Sequence, residues 1–491
     1  MNLKKTVAIA TAAGALAAIS VPAMALENQF NGMFRSFSYL SNAYSGGSAF
    51  MLQNDLTGRG TSRFTEQRAR LQYTAKASDD LKLVTHFELD SRWGGNDIAG
   101  AGNAPKYGAY NDAGVLDADG ISLETKQVYL DFNCPLTGSN VKLGIQPFND
   151  AYQGTFGNWD GAGVQISRKF NALTGTVAYF RGVDSTLKSL AVTSAATNSN
   201  APSVDYKKSV DIYVLDGKYA VNKDLTVGAN YYAVTRDAAL FAAVGATAAP
   251  APGSINTAAG KFNAAGPAEF TNMIGVNADA KVGPAALTAA LGYQFGDFNS
   301  ARKLSAFGGN ATAKVAVGPG KVNASVLYLS GQNNTKTTGD YEGWQTAAAA
   351  VTYFNASNMW LLIRNGATIN TSTSPSATDI ANKGMGMRGI FAGYEGTANK
   401  IFYNANIGYA QVDKKGAAKS ASIGTELNAT AGYKLYDNLT VGLTAAYLIL
   451  GDGMNKDTSN STTPKTDLLA GMGLSKADNP WMSTVQFNYT F

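Results

Sequence analysis

Ionisable side chains recur at every second position in parts of this chain, and that spacing limits the chemistry they could do. Between residues 81 and 93, Lys82, His86, Glu88, Asp90 and Arg92 share one parity, while Leu81, Leu83, Thr85, Phe87, Leu89 and Trp93 share the other. Just before them, Glu66, Arg68, Arg70, Gln72, Thr74 and Lys76 alternate with Ala69, Leu71, Tyr73 and Ala75. Successive side chains of a strand point to opposite faces, so each segment offers a hydrated row carrying both signs of charge. Such a row can steer ions and polar solutes. Catalysis asks for more: a nucleophile with a base, or a metal. The single histidine, His86, lies in the hydrated row opposite the leucines, where a wall imidazole is expected rather than a general base. A Ser/His pair on a lipid-facing edge would need the other parity.

The remaining candidates for chemistry are weaker. Asp117 and Asp119 precede Gly120 in the stretch Asp112 to Glu124, but the alternating carboxylates and distal Glu of a calcium loop are missing. A solvated external loop is expected there. Cys134 is the only cysteine, which excludes a disulfide framework and a Cys-rich metal site. No CxxCH motif occurs, so no covalent haem is expected, and the many glycines lack the strand–loop–helix setting of a phosphate cradle. The chain is read as a non-enzyme with no catalytic residue, no metal ligand and no cofactor.

The elements that must position the charged rows are strands of about ten residues, the length that crosses a bilayer when tilted. The alternation returns at Val141, Leu143 and Ile145 against Lys142, Gly144 and Gln146, and at Leu225, Val227, Ala229 and Tyr231 against Thr226, Gly228, Asn230 and Tyr232. It returns again at Leu439, Val441, Leu443, Ala445 and Tyr447 against Thr440, Gly442 and Thr444. An Arg or Lys turned to the bilayer centre would cost about 2–4 kcal/mol, so the split fits lipid on one side and water on the other. Short turns rich in Gly, Pro, Asn and Asp fall at Ser78–Asp80, Asn171-Ala172, Ala220 to Asp224, Val282–Pro284, Gly318–Gly320, Asn355 to Asn358 and Tyr436–Asn438. Long polar or Ala/Gly-rich stretches at 94–121, 183–208, 237–269, 366–386 and 451–479 alternate with them. Pairing the segments predicts about twenty strands, among them 311–317, 344–355, 358–365 and 387–395, with sixteen or eighteen as alternatives because the number must be even. The fold class is therefore all-β: a transmembrane antiparallel up-and-down barrel with short periplasmic turns and long external loops.

Composition agrees. Of 491 residues only 15% are charged, against roughly a quarter in soluble domains, while Gly (53), Tyr (24) and Phe (22) are plentiful. Lys4 and Lys5, the apolar run Val7 to Ile19 and Ala23-Met24-Ala25 make a secretory signal. Residues 1–25 are thus expected to be removed, leaving 26–491 as one barrel domain. The formal net charge of +5 drops by the two signal lysines and is too weak a bias to suggest nucleic acid.

At the C-terminus Trp481, Ser483, Val485, Phe487, Tyr489 and Phe491 share one face, and the chain ends in Phe491. This resembles the signature that the barrel-insertion machinery reads in outer-membrane proteins. Taken whole, the mature chain resembles the Gram-negative general porins, and looks most like porins of metal-reducing deltaproteobacteria. That resemblance implies residence in the outer membrane of a Gram-negative bacterium, contact with its lipid and lipopolysaccharide, a homo-trimer, and a third external loop folded into the bore. Here that loop is the stretch Gln146 to Gly161, carrying Asp150 and Asp160. The resemblance suggests that Arg68 and Arg70 face Asp150 or Asp160 across the narrowest part, with Glu66, Lys76, Lys82, Glu88, Asp90 and Arg92 lining the lumen. The plainer reading makes all of these ordinary solvated wall residues.

Two function classes follow. A general diffusion pore for small hydrophilic solutes and ions is favoured because most aromatics share the lipid face. A substrate-selective channel would need inward aromatics, for which Tyr129, Phe148 and Tyr232 are candidates. A barrel acting as sheath or scaffold for a partner protein is a third possibility.

Overall fold

The computed structural model describes residues 26–42, 61–94, 123–187, 206–236, 255–256, 261–262, 268–299, 301–333, 338–347, 354–363, 384–416, 420–454 and 479–491. In chain order the strands are β1 (Glu27–Ser41), β2 (Ser62–Ser78), β3 (Leu81–Arg92), β4 (Leu123–Cys134), β5 (Ser139–Asn149), β6 (Asn158–Phe170), β7 (Leu173–Leu187), β8 (Tyr206–Asn222) and β9 (Leu225–Arg236). A two-residue pair, β10 (Ile255–Asn256) and β11 (Lys261–Phe262), stands apart. Then come β12 (Phe270–Val282), β13 (Ala285–Asn299), β14 (Arg302–Val317), β15 (Gly320–Leu329), β16 (Met387–Ala398), β17 (Ile401–Gln411), β18 (Ser422–Tyr436), β19 (Leu439–Leu450) and β20 (Trp481–Thr490).

Eighteen of these form one antiparallel sheet in which each strand pairs with its neighbour in sequence, β9 with β12. The sheet closes on itself where β1 meets β20, from Met33 opposite Thr490 to Ser41 opposite Met482. Gly32 and Phe491 exchange backbone hydrogen bonds of 2.9 and 3.1 Å beside this seam. Closure leaves no unpaired edge, the condition for backbone polar groups to survive in hydrocarbon.

At one rim the connections are only two to four residues long, at 79–80, 135–138, 171–172, 223–224, 283–284, 318–319, 399–400 and 437–438. Their residues suit them: Asn171 and Asn399 take φ of 52° and 53°, and Gly283 and Gly318 take 58° and 57°, the left-handed region where Gly and Asn fit best. Most long connections run at the opposite rim; that between β13 and β14 is short.

Alternation does what the sequence predicts. Along β19 the odd positions Leu443, Ala445, Tyr447 and Ile449 are exposed, while Thr444, Ala446, Leu448 and Leu450 are buried. Leu291, Val276 and Leu215 are each more than half exposed on the outer surface, a position that lipid chains rather than water must fill. Tyr219, Tyr433, Tyr436 and Phe491 lie outward at the short-turn rim, and Tyr213, Tyr328, Tyr409 and Tyr447 outward towards the other, two girdles of the interfacial kind.

Eighteen of the twenty expected strands have a counterpart; 311–317 starts earlier, at Arg302, and 387–395 runs to Ala398. The two that do not are 344–355 and 358–365. Their described parts lie inside the cylinder: Trp344, Ala347, Phe354, Met359, Leu361, Leu362 and Ile363 are all buried. The expected turn Asn355 to Asn358 exists as a single 3-10 turn over Asn355–Ser357, but within this internal segment rather than between two barrel strands. Residues 1–25, expected to be a secretory signal, the stretch 112–122 and most of the long polar loops lie outside the described residues.

Candidate functional site

The charged rows become rungs on the inner wall. Register places Arg35 of β1 opposite Arg68 of β2, Arg68 opposite Asp90 of β3, Arg70 opposite Glu88, and Glu88 opposite Glu124 of β4. Across four neighbouring strands at this level the wall therefore changes sign, from three arginines on β1 and β2 to three carboxylates on β3 and β4. Arg68 donates from Nε and Nη2 to the two Asp90 oxygens at 2.6 and 2.5 Å and lies 3.2 Å from Glu88. Arg70 Nε donates to Glu88. One rung towards the long loops the order reverses: Glu66 on β2 accepts from Arg92 on β3 at 2.8 Å, and the Arg92 guanidinium sits 4.2 Å from the Phe64 ring. Arg35 and Glu124 make no ion pair with any described residue, so the two ends of the gradient keep their charge for the lumen.

Towards the short-turn rim, Lys76 reaches Glu27 at 3.3 Å and Asp79 at 2.7 Å, and Lys82 reaches Asp131 at 3.2 Å. Lys76 beside Asp79 holds that turn carboxyl below the ordinary carboxylate range. His86 lies between these levels, in register with Gln72 and Gln127.

The connection between β5 and β6 folds inward as a compact turn over residues 150–157. Asp150 organises it: Oδ1 accepts from the backbone N–H groups of Tyr152 and Gly154 at 2.8 and 2.7 Å, and Oδ2 from those of Phe156 and Gly157 at 2.8 and 2.6 Å. Burial pushes this carboxyl above its ordinary range, against the downward pull of those four bonds. The turn docks on the wall of β9, β12, β13 and β14. Tyr152 donates from its hydroxyl to Asn230 at 2.7 Å, and its ring occupies space left by Gly275 and Gly292, where a side-chain carbon would overlap it. Asn310 donates to the Tyr152 carbonyl at 2.7 Å and accepts from Gln153 at 2.8 Å.

Arg68 and Arg70, expected to face Asp150 or Asp160 across the narrowest part, bond to neither carboxylate in the structure. Cross-strand partners stand a few ångströms apart on one face, and Glu88 and Asp90 take the arginines first. Asp150 is consumed by its own loop. Asp160 accepts from Lys126 and Gln127, both at 2.6 Å. Phe148 and Tyr232 do face inward, but both are buried in packed rings, with Phe148 4.5 Å from Trp159 and Tyr232 5.4 Å from Phe156. They form no open track.

A second infolded segment carries what the sequence reading missed. Residues 338–347 are pinned by Gln294, which donates to the Gln345 carbonyl at 2.7 Å and accepts from its N–H at 2.8 Å. Buried Arg236 adds bonds to the carbonyls of Ala268, Thr346 and Ala347 at 2.9, 2.7 and 2.8 Å. This piece joins the first turn: Trp344 Nε1 donates to the Thr155 carbonyl at 3.0 Å, and the Ala347 N–H to that of Phe156 at 2.8 Å. Residues 354–363 lie against β15 to β18, with Met359 beside Gly408 and Phe391, and Trp360 reaching Phe37 on β1 at 6.5 Å between rings. A hollow of about 250 Å³ between these segments and the wall is lined by Gln153, Thr312, Lys314, Asn323, Asn355 and Asn358 among others.

The buried apolar cluster built on these two segments draws residues from β1 and from most strands between β5 and β20, but none from β3 or β4. The inner surface of β12 to β20 at mid-height is polar yet nearly uncharged: Asn406 donates to Asn428 at 2.9 Å, Thr430 and Thr444 share a bond of 2.7 Å, and Gln486 donates to Thr444 at 2.8 Å. Charge is thus concentrated on one side of the bore and infolded apolar chain on the other. The signals for the missed segment were the run Met359-Trp360-Leu361-Leu362-Ile363, which is apolar without alternation, and Glu426, the one carboxylate of β18, whose inward neighbours Gly424, Asn428 and Thr430 are uncharged.

No family model matches the chain, and no curated protein matches it. Solved structures similar in fold include Pseudomonas aeruginosa OpdO, at 12% identity over 95% of this chain and 97% of that one, with a TM-score of 0.48. The outer membrane protein OpdK of Pseudomonas aeruginosa matches at 10% identity over 95% and 98%, with a TM-score of 0.47. A BenF-like porin from Pseudomonas fluorescens Pf-5 matches at 12% identity over 95% and 98%, with a TM-score of 0.47. At such identities no residue role passes from one chain to another. The closed cylinder, apolar outside and polar within, is that of a β-barrel of the Gram-negative outer membrane.

Proposed function

We propose that this chain is a porin: a passive, water-filled channel that carries small hydrophilic solutes and ions across the outer membrane, with the passage running beside the charged wall of β1 to β4. The observation that carries the reading is the uneven filling of the bore. Eighteen strands enclose more space than their side chains fill, and the apolar cluster that narrows it takes no residue from β3 or β4. Among the described residues, the side left for water carries Arg35, Arg68, Arg70, Asp90 and Glu124, with Glu88 buried among them. A lateral change of sign along one wall orients dipolar and zwitterionic solutes as they pass, and charged linings of this kind tune which ions cross.

The narrowing favours size discrimination over an unrestricted pore. Swelling of proteoliposomes in isotonic sugars checks this. Swelling is expected to be fast with a pentose and much slower with a trisaccharide, and absence of swelling with the pentose contradicts the reading.

A further inference from the structure

We infer that Glu426 is a latch that holds residues 354–363 within the bore, and that the held segment, through Trp360, sets the width of the passage. This rests on the channel reading above.

Glu426 projects inward from β18 and is wholly buried. Its Oε1 accepts the N–H of Trp360 at 2.8 Å and a side-chain N–H of Asn428 at 2.8 Å. Its Oε2 accepts the N–H groups of Leu361 and Leu362 at 2.9 and 2.6 Å. Three successive backbone donors thus converge on one carboxylate, as in the concave anion sites that backbone N–H groups form elsewhere. No described residue makes an ion pair with it; among the described residues its partners are those N–H dipoles. Asn428 closes the arrangement by donating also to the Asn358 carbonyl at 3.0 Å.

The latch decides the state of the segment because the other contributions are close to balance. Burial of the side chains from Met359 to Ile363 favours docking, while fixing a ten-residue piece of backbone opposes it with a free energy of the same order. Three N–H groups buried with no acceptor would tip the balance towards release. Geometry then connects the latch to the passage. Trp360, whose N–H Glu426 holds, lies against Phe37, and Phe37 stands in register with Glu66 on the charged wall.

Glu426→Gln and Trp360→Ala, each checked for folding by heat-modified gel mobility, would be recorded beside the unaltered protein in planar bilayers. Glu426→Gln is expected to give a larger unit conductance or rapid flicker to a larger level, and Trp360→Ala a larger, quiet conductance. A folded Glu426→Gln protein with unaltered conductance and noise overturns the latch, while a silent unaltered protein overturns the channel reading instead. Hydrogen–deuterium exchange on the unaltered protein gives a reading that needs no variant. The amides of 360–362 are expected to exchange as slowly as those of β18, and fast exchange there overturns the latch by itself.

Discussion

Arg35 and Arg68 carry the same charge and stand in register on neighbouring strands, yet their surroundings give them different expected effects. Arg35 lacks an ion pair among the described residues, so Arg35→Glu should leave the barrel intact and move the zero-current potential in a salt gradient towards cation selectivity. An unmoved potential would show that ions do not pass this wall. Arg68→Gln breaks a two-pronged bond to Asp90 and contact with Glu88, at a cost of about 1.5–3 kcal/mol for a charge-assisted interaction. It should lower the temperature at which the folded band disappears from gels. Asp150→Asn removes the charge from an acceptor of four backbone bonds; the amides of 152–157 should then exchange faster, with β5 and β6 unchanged. At this scale the sequence revealed which side chains face water, because parity alone decides that. Their partners were hidden. Pairing depends on register between strands, and register became visible only when Arg68 met Asp90 rather than the loop.

Two elements show where pattern reading succeeds and fails. β3, and β19 as far as Thr444, alternate strictly and are legible almost to the residue, since there each presents apolar groups outward and polar or small groups inward. The segment Met359 to Ile363 is apolar at every position and was read as a strand paired across Asn355 to Asn358. In the structure this run is not a strand of the barrel wall; it is buried inside the bore. Small residues mark the docking surface in the same way. Gly275 and Gly292 leave the wall flat where the Tyr152 ring lies, which no alternation rule would reveal. Gly275→Ala should push the 150–157 turn off the wall and destabilise it. Tyr152→Ala removes the group it collides with, so the double variant should lose less stability than the two single losses combined, as expected for residues in contact. Simple addition of the two losses in thermal unfolding would contradict the docking geometry.

At the scale of the molecule, closure of eighteen strands follows from the alternation and the short turns, while the bore's residual shape follows from segments that hydropathy reads as something else. The inner face is divided, with mixed charge on β1 to β4, amides and hydroxyls predominant at mid-height on β12 to β20 apart from Glu426, and infolded chain packed against most of the remainder. A barrel of this width with its filling held to one side should conduct, and should do so through a passage narrower than the cylinder itself. Recording from single molecules of the purified protein in a planar lipid bilayer tests this most directly. Discrete current steps of uniform size, linear with voltage at low potentials, are expected; a membrane that stays electrically silent, while the same preparation remains β-rich by circular dichroism, would contradict an open passage.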